Sequence, residues 1–138
     1  MSQEKTTEVY IDGASRGNPG ESGIGVLVIC PDGRREKIRE YIGRGTNNEA
    51  EYKALIRALG YLVAEGSTKV RIHTDSQLVA NQMNGLWKVK DPKLRILHSE
   101  AKKLASSLPS LEVEYIPREN NSEADGLANE AIDRYFND

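Results

Sequence analysis

RGTNNEAEYKALIRALGYLVAE, residues 44–65, reads as a helix with one buried stripe, because Ala54, Leu55, Ala58, Leu59 and Leu62 recur at i, i+3, i+4 spacing. Extending that stripe back one turn lands on Glu51. A carboxylate at the head of a core-facing stripe is desolvated, which costs free energy unless a positive or hydrogen-bonding group meets it. Glu49 is placed differently. Its neighbours at helical spacing are Tyr52, Lys53 and Ile56, and Thr46-Asn47-Asn48-Glu49 has the S/T-x-x-E form of a capping box. Glu49 is therefore expected to cap the helix and Glu51 to look inward.

A chain of 138 residues fits one domain and buries roughly two-thirds of the surface it exposes when unfolded. Its 38% hydrophobic and 29% charged residues are those of a soluble globular protein, and no apolar run approaches the roughly 18 residues of a membrane span. The opening Met1-Ser2-Gln3-Glu4-Lys5 carries no apolar signal segment. Cys30, the single cysteine, excludes an internal disulfide and a cysteine zinc cluster and fits a reducing cytosol, so a cytoplasmic location is expected. A net charge of −2 draws the chain to no polyanion as a whole. Any nucleic-acid role must then come from local basic clusters or metal ions.

Outward from the helix, residues 7–12 read as a strand with Val9 and Ile11 on one face, Tyr10 and Asp12 on the other, ending at Asp12. Residues 13–20 contain the turn sequence Gly17-Asn18-Pro19-Gly20. The nearly continuous apolar run 23–30 suits a strand covered on both faces, and residues 34–42 have the charge pattern of a sheet edge. After the helix, residues 69–74 form a short strand that ends on Asp75. Asp75 or Ser76 then caps a second helix, which Asn84-Gly85 ends. Asp91-Pro92 opens a third helix with Leu94, Leu97, Ala101, Leu104 and Leu108 in its stripe. Residues 111–116 read as a fifth strand. Beyond the loop 117–121, a last helix carries Ala124, Leu127, Ala128, Ala131, Ile132 and Tyr135, with Asp125 on its flank. The order β-β-β-α-β-α-α-β-α predicts an α/β fold with one mixed sheet.

Four carboxylates recur at element ends: Asp12 and Asp75 after inner strands, Glu51 and Asp125 in the first turns of helices. Singly, each has an ordinary reading as turn former, cap or partner of a helix dipole. Brought together they would raise one another's pKa and would be tolerated chiefly around divalent cations, for which oxygen-only ligands suit Mg²⁺ or Mn²⁺. Two such ions holding a scissile phosphate point to phosphodiester hydrolysis.

Y-I-D-G-A-S-R-G-N-P-G around Asp12, T-N-N-E-A-E around Glu51, H-T-D-S-Q around Asp75 and N-x-E-A-D-x-L-A around Asp125 resemble, in order, the signatures of type 1 ribonuclease H. The resemblance runs from about residue 7 to residue 135. It implies a ribonuclease H-like fold, a five-stranded mixed sheet flanked by helices, over residues 1–138 as a single domain. It also implies a monomeric endoribonuclease that uses two Mg²⁺ ions, or Mn²⁺ in their place, to hydrolyse the RNA strand of RNA·DNA hybrids, leaving 3′-hydroxyl and 5′-phosphate ends. The same resemblance assigns the catalytic and metal-binding carboxylates to Asp12, Glu51, Asp75 and Asp125. It assigns substrate contacts to Gly13, Asn18, Thr46, Asn47, Asn48 and Gln77. Neutral amides can read a ribose 2′-hydroxyl, which donates and accepts, and so distinguish RNA from DNA without reading bases.

Two departures stand out. Members of the family often carry a histidine before the last helix, associated with proton transfer or product release, whereas this loop reads Pro117-Arg118-Glu119-Asn120. Arg118 or Glu119 is the candidate replacement, and His73, alternating within a strand, reads as a packed or edge residue. The long basic insertion of many members is also missing, and residues 85–92 span the gap directly. There Trp87 suits either the core or, with Lys88 and Lys90, a sugar-phosphate surface. Two other readings compete: a non-catalytic hybrid-binding module, disfavoured by retention of all four carboxylates, and a DNA nuclease or integrase-like domain, disfavoured by the amides.

Overall fold

The central helix is α1, Asn47–Ala64, in a computed structural model that describes residues 5–137. Residues 1–4, most of the opening stretch that carries no apolar signal, lie outside the described residues. Thr46 is the N-cap: its hydroxyl accepts from the Glu49 amide at 3.1 Å, and the Glu49 carboxylate accepts from the Thr46 amide at 2.9 Å. That is the expected capping box. The buried side of α1 is wider than one stripe, since Tyr52 is fully buried beside Ala54, Leu55, Ala58, Leu59 and Leu62. A second layer explains this. The Tyr52 hydroxyl donates to Gln82 of α2 (Gln77–Met83) at 2.6 Å, and its ring meets His98 of α3 (Pro92–Ala105) edge-on.

Five strands form one mixed sheet, β1 (Thr7–Gly17), β2 (Gly20–Ile29), β3 (Arg35–Gly45), β4 (Lys69–Thr74) and β5 (Ser110–Tyr115), in the order β3-β2-β1-β4-β5. The first three are antiparallel neighbours, while β4 runs parallel to both β1 and β5. Val9, Ile11, Ile24, Val26 and Val28 meet α1 on one face. On the other lies α4 (Ser122–Asn137), held so close that a Cβ on Gly25 would stand 2.2 Å from the Ala124 carbonyl oxygen. The continuous apolar run of β2 is thus covered on both sides, as expected for a strand so rich in Val, Ile and Leu. No described helix is long and apolar enough to cross a membrane.

The first strand does not end at Asp12. It continues to Gly17, paired with β2 throughout, because a hairpin ladder uses backbone groups that glycines and polar residues supply as well as apolar ones. Its pairing with β4 stops earlier, at Ile11 opposite Thr74. From Asp12 onward β1 therefore has no strand neighbour on that side among the described residues, and groups from both faces of the sheet can meet in the gap. The charges of β3 also have partners: Arg35 with Glu123 and Arg39 with Glu130 on α4, Glu40 with Arg57 on α1. Tyr135, expected in the stripe of α4, is exposed and stacks on Tyr41 at 3.7 Å. Tyr115 is likewise exposed, at the open β5 edge, and Trp87 is half exposed rather than core.

Candidate active site

The gap beside β1 gathers the carboxylates. Asp12 is buried on the α4 face, opposite Gly25 in the β1–β2 register, and Asp125 in the first turn of α4 comes down beside it. Asp75 enters from the end of β4, freed from capping because the Ser76 hydroxyl caps α2 instead, accepting from the Val79 amide at 3.1 Å. Glu51 arrives from the opposite face and accepts from the Gly13 amide at 2.8 Å. One oxygen each of Asp12, Glu51 and Asp75 lie within 4.8 Å of one another. Asp125 stands outside that tight trio but lines the same cleft of about 450 Å³, with Gly13, Ala14, Ser15, Asn47, Arg118 and Asn129.

Burial first, then the charges of Glu51 and Asp75, push Asp12 up to about 10, and a hydrogen bond with Asp125 adds to the rise. Glu51 is pushed up to about 8 by burial and then by Asp75, while the Gly13 amide and the Arg118 guanidinium pull it back. Both shifts register burial and excess negative charge, which Arg118 offsets only in part. An all-oxygen trio of this kind fits a hard divalent cation better than any side chain present.

The expected substrate contacts fall in two places. Asn47 shares the carboxylate cleft, whereas Asn18, Thr46 and Asn48 line a neighbouring cleft with Asp91, Pro92 and Lys93. Asn18 Oδ1 accepts from the Asn47 amide at 3.0 Å, tying the β1–β2 turn to the start of α1, and Asn18 is exposed. Thr46 is engaged in the cap, and the Gly13 amide is committed to Glu51. Gln77 is exposed at the start of α2 and lines neither cleft. Of the two loop candidates, Arg118 lines the carboxylate cleft and Glu119 does not. His73 is packed, with Nε2 2.7 Å from Glu8 and its ring stacked on Tyr10.

Residues 10–131 match the family model described as Reverse transcriptase-like. The crystal structure of RNase H1 from the halophilic archaeon Halobacterium salinarum superposes with a TM-score of 0.89 at 41% identity, covering 94% of this chain and 98% of that one. The chain belongs to the type 1 ribonuclease H family. A second type 1 ribonuclease H, LC11-RNase H1 in complex with RNA/DNA hybrid, is 41% identical with a TM-score of 0.89 over 94% of this chain and 99% of that one. Among curated proteins, Bifunctional protein Rv2228c of Mycobacterium tuberculosis is 45% identical over 91% of this chain, which spans 35% of that protein's length.

Sequence reasoning gave no role to two amides beside the carboxylates, although Asn121 is the first residue of the N-x-E-A-D-x-L-A signature. Asn129 Nδ2 donates to the Asp125 carbonyl at 3.0 Å and to Asp125 Oδ1 at 3.3 Å. Asn121 Nδ2 donates to Asp75 Oδ2 at 3.0 Å. That signature marked Asn121; for Asn129, four residues beyond Asp125 and one helical turn along α4, the spacing was the available signal.

Proposed function

We propose that this chain is a single ribonuclease H domain, cytoplasmic and monomeric, that hydrolyses the RNA strand of RNA·DNA hybrids and leaves 3′-hydroxyl and 5′-phosphate ends. The observation that carries the reading is the trio of Asp12, Glu51 and Asp75 oxygens within 4.8 Å, open to a cleft and reinforced by Asp125. Two Mg²⁺ ions, or Mn²⁺ in their place, held by these four carboxylates, would activate the attacking water and stabilise the leaving oxygen. The protein's own groups do the rest. Gly13, Asn121 and Asn129 hold Glu51, Asp75 and Asp125 in place through neutral donors. The exposed amides of Asn18, Asn47, Asn48 and Gln77 face the hybrid and read 2′-hydroxyls, with Thr46 near a phosphate of the DNA strand. Arg118 brings a guanidinium into the cleft beside Glu51, a place that suits drawing a phosphate in and letting the product leave.

The test is end-labelled RNA·DNA hybrid, duplex RNA, duplex DNA and single strands, each incubated with Mg²⁺ and with EDTA. Cleavage confined to the RNA strand of the hybrid and abolished by EDTA is expected. Comparable cutting of duplex DNA, or full activity in EDTA, would overturn the proposal.

A further inference from the structure

Asn121 joins the three elements that bring in Asp12, Asp75 and Asp125. It stands between the 3-10 turn Arg118–Asn120 and α4 and is 1% exposed. Its side-chain amide donates twice, to the Ile11 carbonyl at 2.9 Å and to Asp75 Oδ2 at 3.0 Å. Its backbone carbonyl accepts from the Asp125 amide at 3.1 Å. Ile11 precedes Asp12 and is the last residue of β1 paired with β4, so the first donation is made where the two strands part.

We propose that Asn121 is a positioning residue that sets the spacing of the carboxylates for a divalent cation; this rests on the reading of the site as a metal centre. Chemistry singles out a neutral double donor here. Carboxylates drawn within 4.8 Å repel, and Asp75 has to be held without being neutralised. Lys or Arg would bring a cation that competes with the metal, Ser or Thr offers one hydrogen where two acceptors wait, and Asp offers none and adds charge. The orientation of the amide follows, since turning it over would set its oxygen against those of Ile11 and Asp75. What the orientation leaves is Asn121 Oδ1, buried and without a hydrogen-bond partner among the described residues. Capping α4 does not demand that cost, because Ser, Thr or Asp caps equally well. Holding the two neighbours of Asp12 at fixed geometry does.

Asn121→Ser keeps a small polar residue suited to the start of α4 and removes both amide donors. The full chain is melted in EDTA and in Mn²⁺, titrated with Mn²⁺ by calorimetry, and assayed on hybrid across Mg²⁺ concentrations. Expected are a cooperative melt in EDTA, a Mn²⁺ affinity weakened by about 10- to 100-fold, the range for partners of metal ligands, and loss of most of the Mn²⁺-induced rise in Tm. The Mg²⁺ concentration for half-maximal activity should rise by a similar factor while KM for hybrid stays unchanged. A Tm lowered equally with and without Mn²⁺ at unchanged affinity would overturn the proposal by reducing Asn121 to a structural residue, and so would a variant that no longer melts cooperatively. Wild-type protein that binds no Mn²⁺ would overturn the metal-site reading itself.

Discussion

Gly13 and Glu51 are joined by a hydrogen bond of 2.8 Å from the Gly13 amide to Glu51 Oε1, so the hydrogen-bond donor to the carboxylate at the head of α1 is backbone. The approach requires a bare residue, because a Cβ on Gly13 would stand 2.3 Å from the Ala50 carbonyl carbon. A neutral donor orients Glu51 and leaves its charge for the cleft.

The two glutamates of α1 should therefore separate cleanly. Glu51→Gln preserves shape and can still accept from Gly13, but it removes a charge the cation needs, so hybrid cleavage should fall by orders of magnitude. Its Tm in EDTA should hold or rise as repulsion in the trio is relieved. Glu49→Gln should keep the cap and most activity, and Glu49→Ala should cost about 1 kcal/mol of stability with little effect on turnover. Melting curves and cleavage rates of the three variants decide it. An inactive Glu49→Gln beside a nearly normal Glu51→Gln would refute the assignment.

Asp12 gives the metal-free protein a pH dependence whose sign can be worked out. Its folded-state pKa is raised to about 10, above an ordinary carboxyl value of 3.8, so the folded state binds a proton that the unfolded state gives up. The resulting stability is fully present below the unfolded value and is lost as pH rises through the folded one. In EDTA the Tm should therefore decline from mildly acidic to alkaline pH, with Glu51 contributing up to about 8. Asp12→Asn removes the largest part of that slope and should be the more stable protein at high pH. Parallel Tm profiles for wild type and variant would contradict the burial and repulsion assigned to Asp12.

Much of this was legible in the sequence, for physical reasons that differ by element. α1 showed itself through a stripe and a capping box, signals that depend on residues within one turn of each other. Glu51 was found because it broke the stripe. The true length of β1 was not legible, since residues 13–17 owe their strand conformation to pairing with β2, and pairing leaves no mark on Gly-Ala-Ser-Arg-Gly. For the same reason the site could be placed at the end of β4 but not at the middle of β1. Arg118 and Glu119 could not be told apart either. Adjacent residues on a turn point in different directions, and only the folded loop shows that Arg118 is the one in the cleft.

Gly25 couples packing to the site. An added Cβ would meet the Ala124 carbonyl oxygen at 2.2 Å and the Ala128 amide nitrogen at 2.7 Å, both backbone atoms that cannot rotate away. Gly25→Ala should push α4 off the sheet, carry Asp125 with it, and cost about 1–3 kcal/mol or more together with activity. Gly60, inside α1 with open space where its Cβ would be, is the control. Gly60→Ala should stabilise by roughly 0.5–1 kcal/mol and leave cleavage unchanged. Equal Tm shifts for both variants would mean that the β2–α4 contact is looser than its geometry.

Arg118 and Glu119 make the sharpest contrast on one turn. Arg118 lines the cleft and its charge lowers the pKa of Glu51, whereas Glu119 lies outside the cleft. Arg118→Ala should slow turnover by about a hundredfold, the scale of removing one charge-stabilising donor, with the Mn²⁺ affinity of the free protein unchanged or slightly strengthened, since a cation beside Glu51 repels the metal. Arg118→Lys keeps the charge but loses the planar fork, so it should recover part of the rate and not all of it. Glu119→Ala should behave as wild type. Steady-state kinetics on hybrid, with calorimetric Mn²⁺ titration of each variant, separates turnover from metal binding. A slow Glu119→Ala beside a normal Arg118→Ala would transfer the role to the carboxylate and make proton transfer, not phosphate charge, the function of this turn.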